Sequence, residues 1–295
     1  VTRRRNLYFF LFISPWLLGF LIFRAGPMLA AVWMSFLKWE VVSPAQFIGL
    51  KNWTDLPSDP LFWQSLKVTV LYTAAVVPLS VIFGFMLAVL MNQNVKGITT
   101  FRTIYYLPSV VSGVSVAMLW LWIFNPEFGL LNYALSLIGI EGPRWVFDVK
   151  WVLPAFIIMS LWGVGGTMII YLAGLQGIPT HLYEAAEIDG ANSWRKLLNI
   201  TVPMMTPVVF FNLVMSVINT FQVFTSAFVM TNGGPSNASL FYVLYLFRHA
   251  FQYFNMGYAS TLAWVLFGII GFFTLLIFGS SDRWVYYEGG GQGAL

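Results

Sequence analysis

The sequence contains no cysteine. That absence removes disulfides, thiolate metal sites and cysteine nucleophiles together. Charge is almost as scarce: Asp, Glu, Lys and Arg make up 9% of the 295 residues, against 59% hydrophobic and 18% aromatic. A soluble domain carries about 25% charged residues because its surface must be wetted. A globule this poor in charge could not cover its own exterior, so most of the chain is expected to face lipid. The net charge of +4 is scattered, and no basic tract is long enough to follow a phosphate backbone, which argues against nucleic acid as a partner. The two histidines, His181 and His249, stand far apart and neither belongs to an HExxH, so a zinc or haem site has little to build on.

Because charges are rare, they mark the loops. A spanning helix needs about 20 apolar residues. Trimming the uncharged stretches at Gly, Pro, Asn and charges gives six spans, at about 8–36, 64–91, 103–124, 152–174, 204–229 and 257–279. The expected fold class is therefore an all-α integral membrane protein, one transmembrane domain over residues 1–295. The first span is expected to bend at Gly26-Pro27, where proline removes a helix hydrogen bond. The longest loops cover 38–63, 125–151, 175–203 and 230–256, and none has room for a soluble domain. Residues 280–295 form a C-terminal tail, ending in a flexible 289–295. The chain opens on Val1 rather than Met, so its first residues are expected to be missing. No signal peptide is expected, since the first apolar segment is too long and lacks a small-residue cleavage site.

Six spans put both termini on one side. If that side is cytoplasmic, it holds Arg3, Arg4, Arg5, Lys96, Arg102, Arg195, Lys196 and Arg283; the other holds Lys38, Lys51, Lys67, Arg144, Lys150 and Arg248. Eight against six is a narrow margin, and the triple arginine just before the first span favours inside. Trp39, Trp53, Trp63, Trp145 and Trp151 cluster at the outer ends, where interfacial indoles belong, although lipid-facing bulk explains many of them equally well.

Two more absences concern energy. Every Asp and Glu falls outside the six spans, whereas ion-coupled carriers usually place an acid within the membrane. None of the six lysines follows a glycine, so the GxxxxGK[ST] phosphate loop is missing. If this chain pumps, another subunit supplies the energy.

Residues 184–203 are the most informative segment. They read as two short helices joined at a glycine. Thr180 is placed to N-cap the first and Gly190 to supply a left-handed stop; Asn192 or Ser193 caps the second, and Pro203 closes it. Ala185 and Ala186 keep one face low, so another protein could approach the backbone. Glu184 and Glu187 share a face and could pair with a partner's arginine. On periodicity alone, a helix lying on lipid headgroups is as good a reading.

Glu184-Ala185-Ala186, Asp189-Gly190-Ala191, Ile200 and Pro203 together resemble the EAA motif, EAAxxDGA followed by IxxP, of membrane subunits in bacterial binding-protein-dependent type I ABC importers. The resemblance implies that the loop 175–203 carries a coupling helix, docking on an ATPase through Glu184, Ala185, Ala186, Glu187, Asp189, Gly190 and Ala191. Thr231-Asn232-Gly233-Gly234-Pro235 is similar to the TxGGP of the carbohydrate-uptake branch, which implies that Gly233, Gly234 and Pro235 touch the binding protein. Phe101-Arg102-Thr103, Leu107-Pro108 and the closing Arg283-Trp284-Val285-Tyr286-Tyr287-Glu288 point to the first of that branch's two permease subunits, as in the maltose importer. The extra N-terminal spans and large periplasmic domain of that subunit have no counterpart here.

Span five carries polar residues at helical spacing: Asn212, Ser216, Asn219 and Thr220 form one stripe, with Gln222 beside it. A hydroxyl-rich substrate needs such donors and acceptors near the midplane. Hydrogen bonding between helices, worth about 0.6 kcal/mol on average in membranes, explains them equally well. The resemblance favours a sugar path, since Ser216, Thr220, Gln222 and Val223 match the family's lining span, and Trp162, Gly163 and Gly166 match its other lining positions. An indole can stack on a pyranose face where small residues leave room. Apart from Lys67 in the first turn of 64–91, Arg24 is the one charge inside a span. It is either bonded to loop carbonyls where the helix bends or placed to attract an acidic sugar.

What the resemblance implies as a whole is a non-enzymatic permease in the bacterial cytoplasmic (inner) membrane, with cytoplasmic termini. It would carry a sugar, expected to be an oligosaccharide, neutral or acidic. Its expected partners are a second homologous permease, two ATPase subunits and a periplasmic solute-binding protein. No cofactor or metal belongs to this chain; ATP and Mg sit on the partner ATPase. Import of another polar solute such as glycerol-3-phosphate, or secondary sugar transport, are the alternatives.

Overall fold

The computed structural model describes residues 2–286, with side chains from Tyr8 onward. The 289–295 tail, Tyr287 and Glu288 lie outside the described residues, as do the side chains of Arg3, Arg4 and Arg5.

The chain begins with α1 (Thr2–Phe20) and α2 (Gly26–Met34), joined by a π-helical turn at Leu21–Ala25. The irregularity therefore precedes Gly26-Pro27 rather than falling on it. A proline ring collides with the carbonyl four residues back, and a wider turn relieves this. Gly26 N–H accordingly bonds the Leu21 carbonyl, five residues back. Tyr8–Met34 still forms one apolar stretch of 27 residues, long enough to cross a bilayer.

The loop that follows is not bare. It holds a minimal antiparallel pair, β1 (Leu37–Lys38) with β2 (Gln46–Phe47), and a short α3 (Lys51–Asp55). The long α4 (Pro60–Met91) starts four residues before the expected 64. Asp59 is the reason: its Oδ1 accepts from the Leu61 and Phe62 N–H groups, at 2.9 and 3.3 Å, and Pro60 needs no partner at the first helical position. At the far end, Arg102 Nε and Nη2 donate to the Met91 carbonyl at 3.0 and 2.7 Å.

The expected third span is broken. α5 (Ile98–Val110) and α6 (Gly113–Ile123) meet at 100°. Val111 and Ser112 leave the helical region, and the Ser112 hydroxyl accepts from Ser115 N–H as an N-cap. An uncharged run thus conceals a helix start. After α7 (Leu130–Ser136), the expected fourth span is α8 (Val152–Trp162) and α9 (Gly165–Gln176), bent by 43° at Gly163-Val164.

Next come α10 (Thr180–Ile188), α11 (Ser193–Lys196), a π turn at Leu197–Thr201 and α12 (Val202–Phe221). Pro203 does not close a helix as expected. Val202 N–H bonds the Leu197 carbonyl five residues back, the same device that precedes Pro27, and the helix runs on into span five. After a break at 222–224, α13 (Thr225–Met230) completes a 38-residue stretch, Ser193–Met230. The chain ends through α14 (Tyr242–Phe247), a π turn at Arg248–Gln252 and α15 (Met256–Ser281). Among the described residues, four stretches are long and apolar enough to cross a membrane by themselves, and six if each bent pair counts as one.

Two compact units emerge within the described residues. The first comprises Val1–Trp63 with Tyr245–Gly268. Its polar contacts gather on two side chains. Asn52 Nδ2 donates to the Ser35 and Leu37 carbonyls, both at 2.9 Å, and Asp59 Oδ2 accepts from the Tyr245 and Tyr258 hydroxyls. The second comprises Gln64–Leu244 with the described residues from Ile269 onward. Its core includes fully buried Met168, Tyr171 and Met205, with Ala88 and Met91 of α4. Close packing rather than water exclusion holds such helices together in lipid.

Candidate functional site

Two features of the second unit gather the residues singled out in the sequence: an exposed helical hairpin and a polar-lined cavity.

The hairpin is built from α10 and α11. Thr180 is the first helical residue rather than the cap; Pro179, held extended, stands at the cap position and its side chain makes no bond there. The stop is as expected. Gly190 takes φ +75°, its N–H bonds Glu187 O at 3.0 Å, and Ala191 N–H bonds Ala186 O at 2.8 Å. These are the two hydrogen bonds of a left-handed helix stop, which favours glycine because other side chains are strained there. Asn192 Oδ1 then accepts from Arg195 N–H at 2.9 Å and starts α11.

α10 has an inner and an outer face. Leu182 and Tyr183 pack on the core formed by Met168, Tyr171, Leu175 and Met205, and Ile200 packs on the same core. The Tyr183 and Thr201 hydroxyls are hydrogen-bonded at 2.9 Å. Outward stand Glu184, Ala185, Glu187, Asp189 and Gly190, with Ala186 and Ala191 half-buried. Ile188 and Trp194 are 88% and 68% exposed. Glu187 is not free for a partner's arginine, because Lys196 Nζ meets its Oε1 at 2.7 Å. Glu184 and Asp189 make no side-chain bond among the described residues.

The cavity, of ≈ 400 Å³, lies among α4, α8, α9 and α12. It brings Asn212, Ser216, Asn219 and Thr220 together with Gly163 and Gly166. A second cavity of ≈ 340 Å³ also includes Gly163 and adds Trp162 and Val223. Hydrogen bonding between helices is met at one member of the stripe. Ser216 Oγ bonds Ser80 Oγ of α4 at 3.0 Å, a link between helices, while Asn212 Nδ2 donates to Val208 O of its own helix at 2.9 Å. No charged residue lines either cavity. Such a surface suits an uncharged, hydroxyl-bearing solute.

Two expected lining residues stand apart. Gln222 caps the end of α12, is exposed and lines neither cavity. Arg24 sits in the Leu21–Ala25 turn, exposed, lines neither cavity and makes no hydrogen bond among the described residues, so the expected carbonyl partners are not found. Ser80, Ser160 and Thr167 line the larger cavity and were missed in the sequence. Each is a lone hydroxyl in an apolar run, on a helix whose periodicity gives no polar stripe.

The 231–235 segment is a turn, tied by Gly234 N–H to Thr231 O at 2.9 Å and by the Thr231 and Ser239 hydroxyls at 2.7 Å. Gly233 is buried and Gly234 and Pro235 are half-buried, so the turn offers a partner little of Gly233 itself.

Residues 80–286 match the family of binding-protein-dependent transport system inner membrane components. The chain is similar to the probable ABC transporter permease protein YesP of Bacillus subtilis, 43% identical over 291 residues, 97% of this chain and 94% of the relative. It is 34% identical over 250 residues to the trehalose/maltose transport system permease protein MalF of Thermococcus litoralis, covering 84% and 83% of the two chains. Its backbone also resembles a chain in the crystal structure of a bacterial alginate ABC transporter in complex with an alginate pentasaccharide-bound periplasmic protein. The TM-score there is 0.85, at 25% identity over 95% of this chain and 96% of that one.

Proposed function

The chain belongs to the family of binding-protein-dependent transport system inner membrane components, and from that premise we propose that it is one permease subunit of an ATP-driven oligosaccharide importer. The fold is that of the type I ABC importer permease. A sugar cargo is supported by the trehalose/maltose and alginate relatives and by the uncharged, hydroxyl- and amide-lined cavity.

The observation that carries the mechanism is the outer face of α10. It presents Glu184, Ala185, Ile188 and Asp189 outward, while Leu182 and Tyr183 on its inner face reach the core shared by α4, α9 and α12. A partner ATPase gripping the outer face would move those helices together. The Glu187–Lys196 pair keeps the hairpin closed while it is pulled, although an exposed ion pair contributes under about 1 kcal/mol. ATP and Mg belong to that partner. Two such ATPases, a second permease and a periplasmic binding protein complete the assembly, in the inner membrane with both termini of this chain cytoplasmic. Nucleotide closure then shifts the cavity between its two openings.

The test is coupling. Gly190→Pro cannot adopt φ +75°, and Glu184→Lys reverses the charge of the outer face. Both variants should remain in the membrane while sugar uptake in proteoliposomes falls out of step with ATP hydrolysis. Near-normal uptake by both would overturn the assignment.

A further inference from the structure

The helix α7, in the loop between the third and fourth expected spans, is turned the wrong way for water. Leu130, Tyr133, Ala134 and Leu137 recur at helical spacing and are all exposed, Tyr133 at 62% and Leu137 at 69%. Of its two polar residues Asn132 faces inward, while Ser136 is exposed beside Tyr133 in a cavity shared with Glu127, Glu141 and Arg144. Asn132 Nδ2 donates to the Pro126 and Pro143 carbonyls at 3.0 and 3.2 Å, and its Oδ1 accepts from Trp145 Nε1 at 2.6 Å. A helix bathed in water normally shows the opposite arrangement, with its apolar stripe toward the protein.

The position of α7 along the bilayer normal is set by its attachments. Gly129 N–H bonds Asn125 O at 2.9 Å, and a Cβ on Gly129 would run into the Ile123 carbonyl, so α7 begins directly against the last turn of α6. The pinned face rests on a ladder of rings, Trp120, Phe124, Trp145 and Trp151, with successive centroids 5.0, 5.3 and 5.7 Å apart. Trp120, Phe124 and Trp145 are buried in the protein, and only Trp151, 43% exposed, is placed as an interfacial indole at the level where the spans leave the hydrocarbon. α6 itself exposes Met118, Leu119 and Trp122, so the apolar face of α7 continues a lipid-facing surface. Glu127 and Glu141, exposed on either side of α7, are suited to remain in water.

We infer that α7 is an interfacial helix lying in the plane of the bilayer, its Leu130–Tyr133–Leu137 stripe sunk into the headgroup–acyl boundary on the side opposite α10. The occupant of this face is lipid, not another subunit. The inference needs only that the chain spans a membrane, and not that its cargo is a sugar.

Because the chain has no cysteine, single labels are easily placed. Leu130→Cys, Leu137→Cys and Glu141→Cys would each carry an NBD fluorophore in the full complex, assembled with cysteine-free partners in phosphatidylcholine–phosphatidylglycerol vesicles. At positions 130 and 137 we expect blue-shifted emission, quenching by nitroxide-bearing lipid and loss of quenching by aqueous iodide, with the reverse at 141. Iodide quenching at 130 and 137 equal to that at 141 would overturn the inference. So would protection from both quenchers, which would mean a protein covers the face. Two stripe positions guard against one label preventing assembly.

Discussion

The Asp59 carboxylate accepts four hydrogen bonds, from the Tyr245 and Tyr258 hydroxyls and the Leu61 and Phe62 N–H groups. Burial pushes its pKa up, but these donors outweigh burial and hold it below the ordinary value of 3.8. A carboxyl with a depressed pKa stabilises the fold above its unfolded-state pKa, and that stabilisation disappears as pH falls through the folded-state value. Tyr245→Phe removes one donor, so the variant should melt below the parent at pH 7, with the gap narrowing toward pH 3; thermal unfolding in detergent measures both. Asp59→Ala also loses the cap of α4, worth about 1 kcal/mol, and strands two hydroxyls, so its melting temperature should fall further. Nothing in the sequence marked this cluster, because its members are separated by nearly two hundred positions and none belongs to a periodic pattern. Gly190 and Asn192 were legible for the opposite reason: stop and cap chemistry is local. Arg24 has its own experiment. If it draws acidic sugars, Arg24→Ala should lower uptake of uronate oligosaccharides and spare neutral ones, and equal losses on both would remove that role.

At the scale of elements, α5 and α9 touch through one missing side chain. A Cβ on Gly165 would overlap the Tyr105 carbonyl, which is backbone and cannot swing aside, whereas one on Gly166 would meet only Ser109 Cβ at 3.5 Å. Gly165→Ala should therefore cost about 1–3 kcal/mol, seen as lower yield and an earlier thermal transition, while Gly166→Ala should fold normally. Hydrophobicity marks apolar segments because lipid selects for it uniformly; among the described residues four are single stretches and two are bent pairs. It placed the breaks poorly because they depend on individual backbone groups. The 100° turn between α5 and α6 hangs on Ser112 capping Ser115, and no charge or long polar run advertises it. The proline at 27 was read as a bend and that at 203 as a helix end; at both the helix runs on, and the relief comes one turn upstream, where the i→i+5 bonds form.

Across the whole molecule, transport and energy are separable by experiment. An uncoupler that abolishes the proton gradient while ATP is maintained should leave uptake intact, and collapse of uptake would favour a secondary carrier. Within the larger cavity, Ser216→Ala and Asn219→Leu should reduce uptake severalfold without loss of membrane insertion, measured as radiolabelled sugar accumulated per unit of inserted protein. The motif of residues 184–191 was readable because it is contiguous, whereas the cavity adds to the four polar residues of one helical stripe the single hydroxyls of Ser80, Ser160 and Thr167 from three other helical segments.

The wide turn at Leu197–Thr201 holds one more residue than a regular α-helix would need, so the hairpin ahead of it and the shaft behind it are clocked by a single amino acid. Deleting one residue there would let the ladder close as a regular helix with both flanks near their present register, whereas one further insertion would swing Ile188 by about 100° around the shaft of α12. After the insertion the same side chains would all be present, but turned away from the surface that the proposed ATPase would grip. If an ATPase grips that face as proposed, the expected phenotype of the insertion is an otherwise intact permease that no longer stimulates it, and removing the added residue should restore coupling.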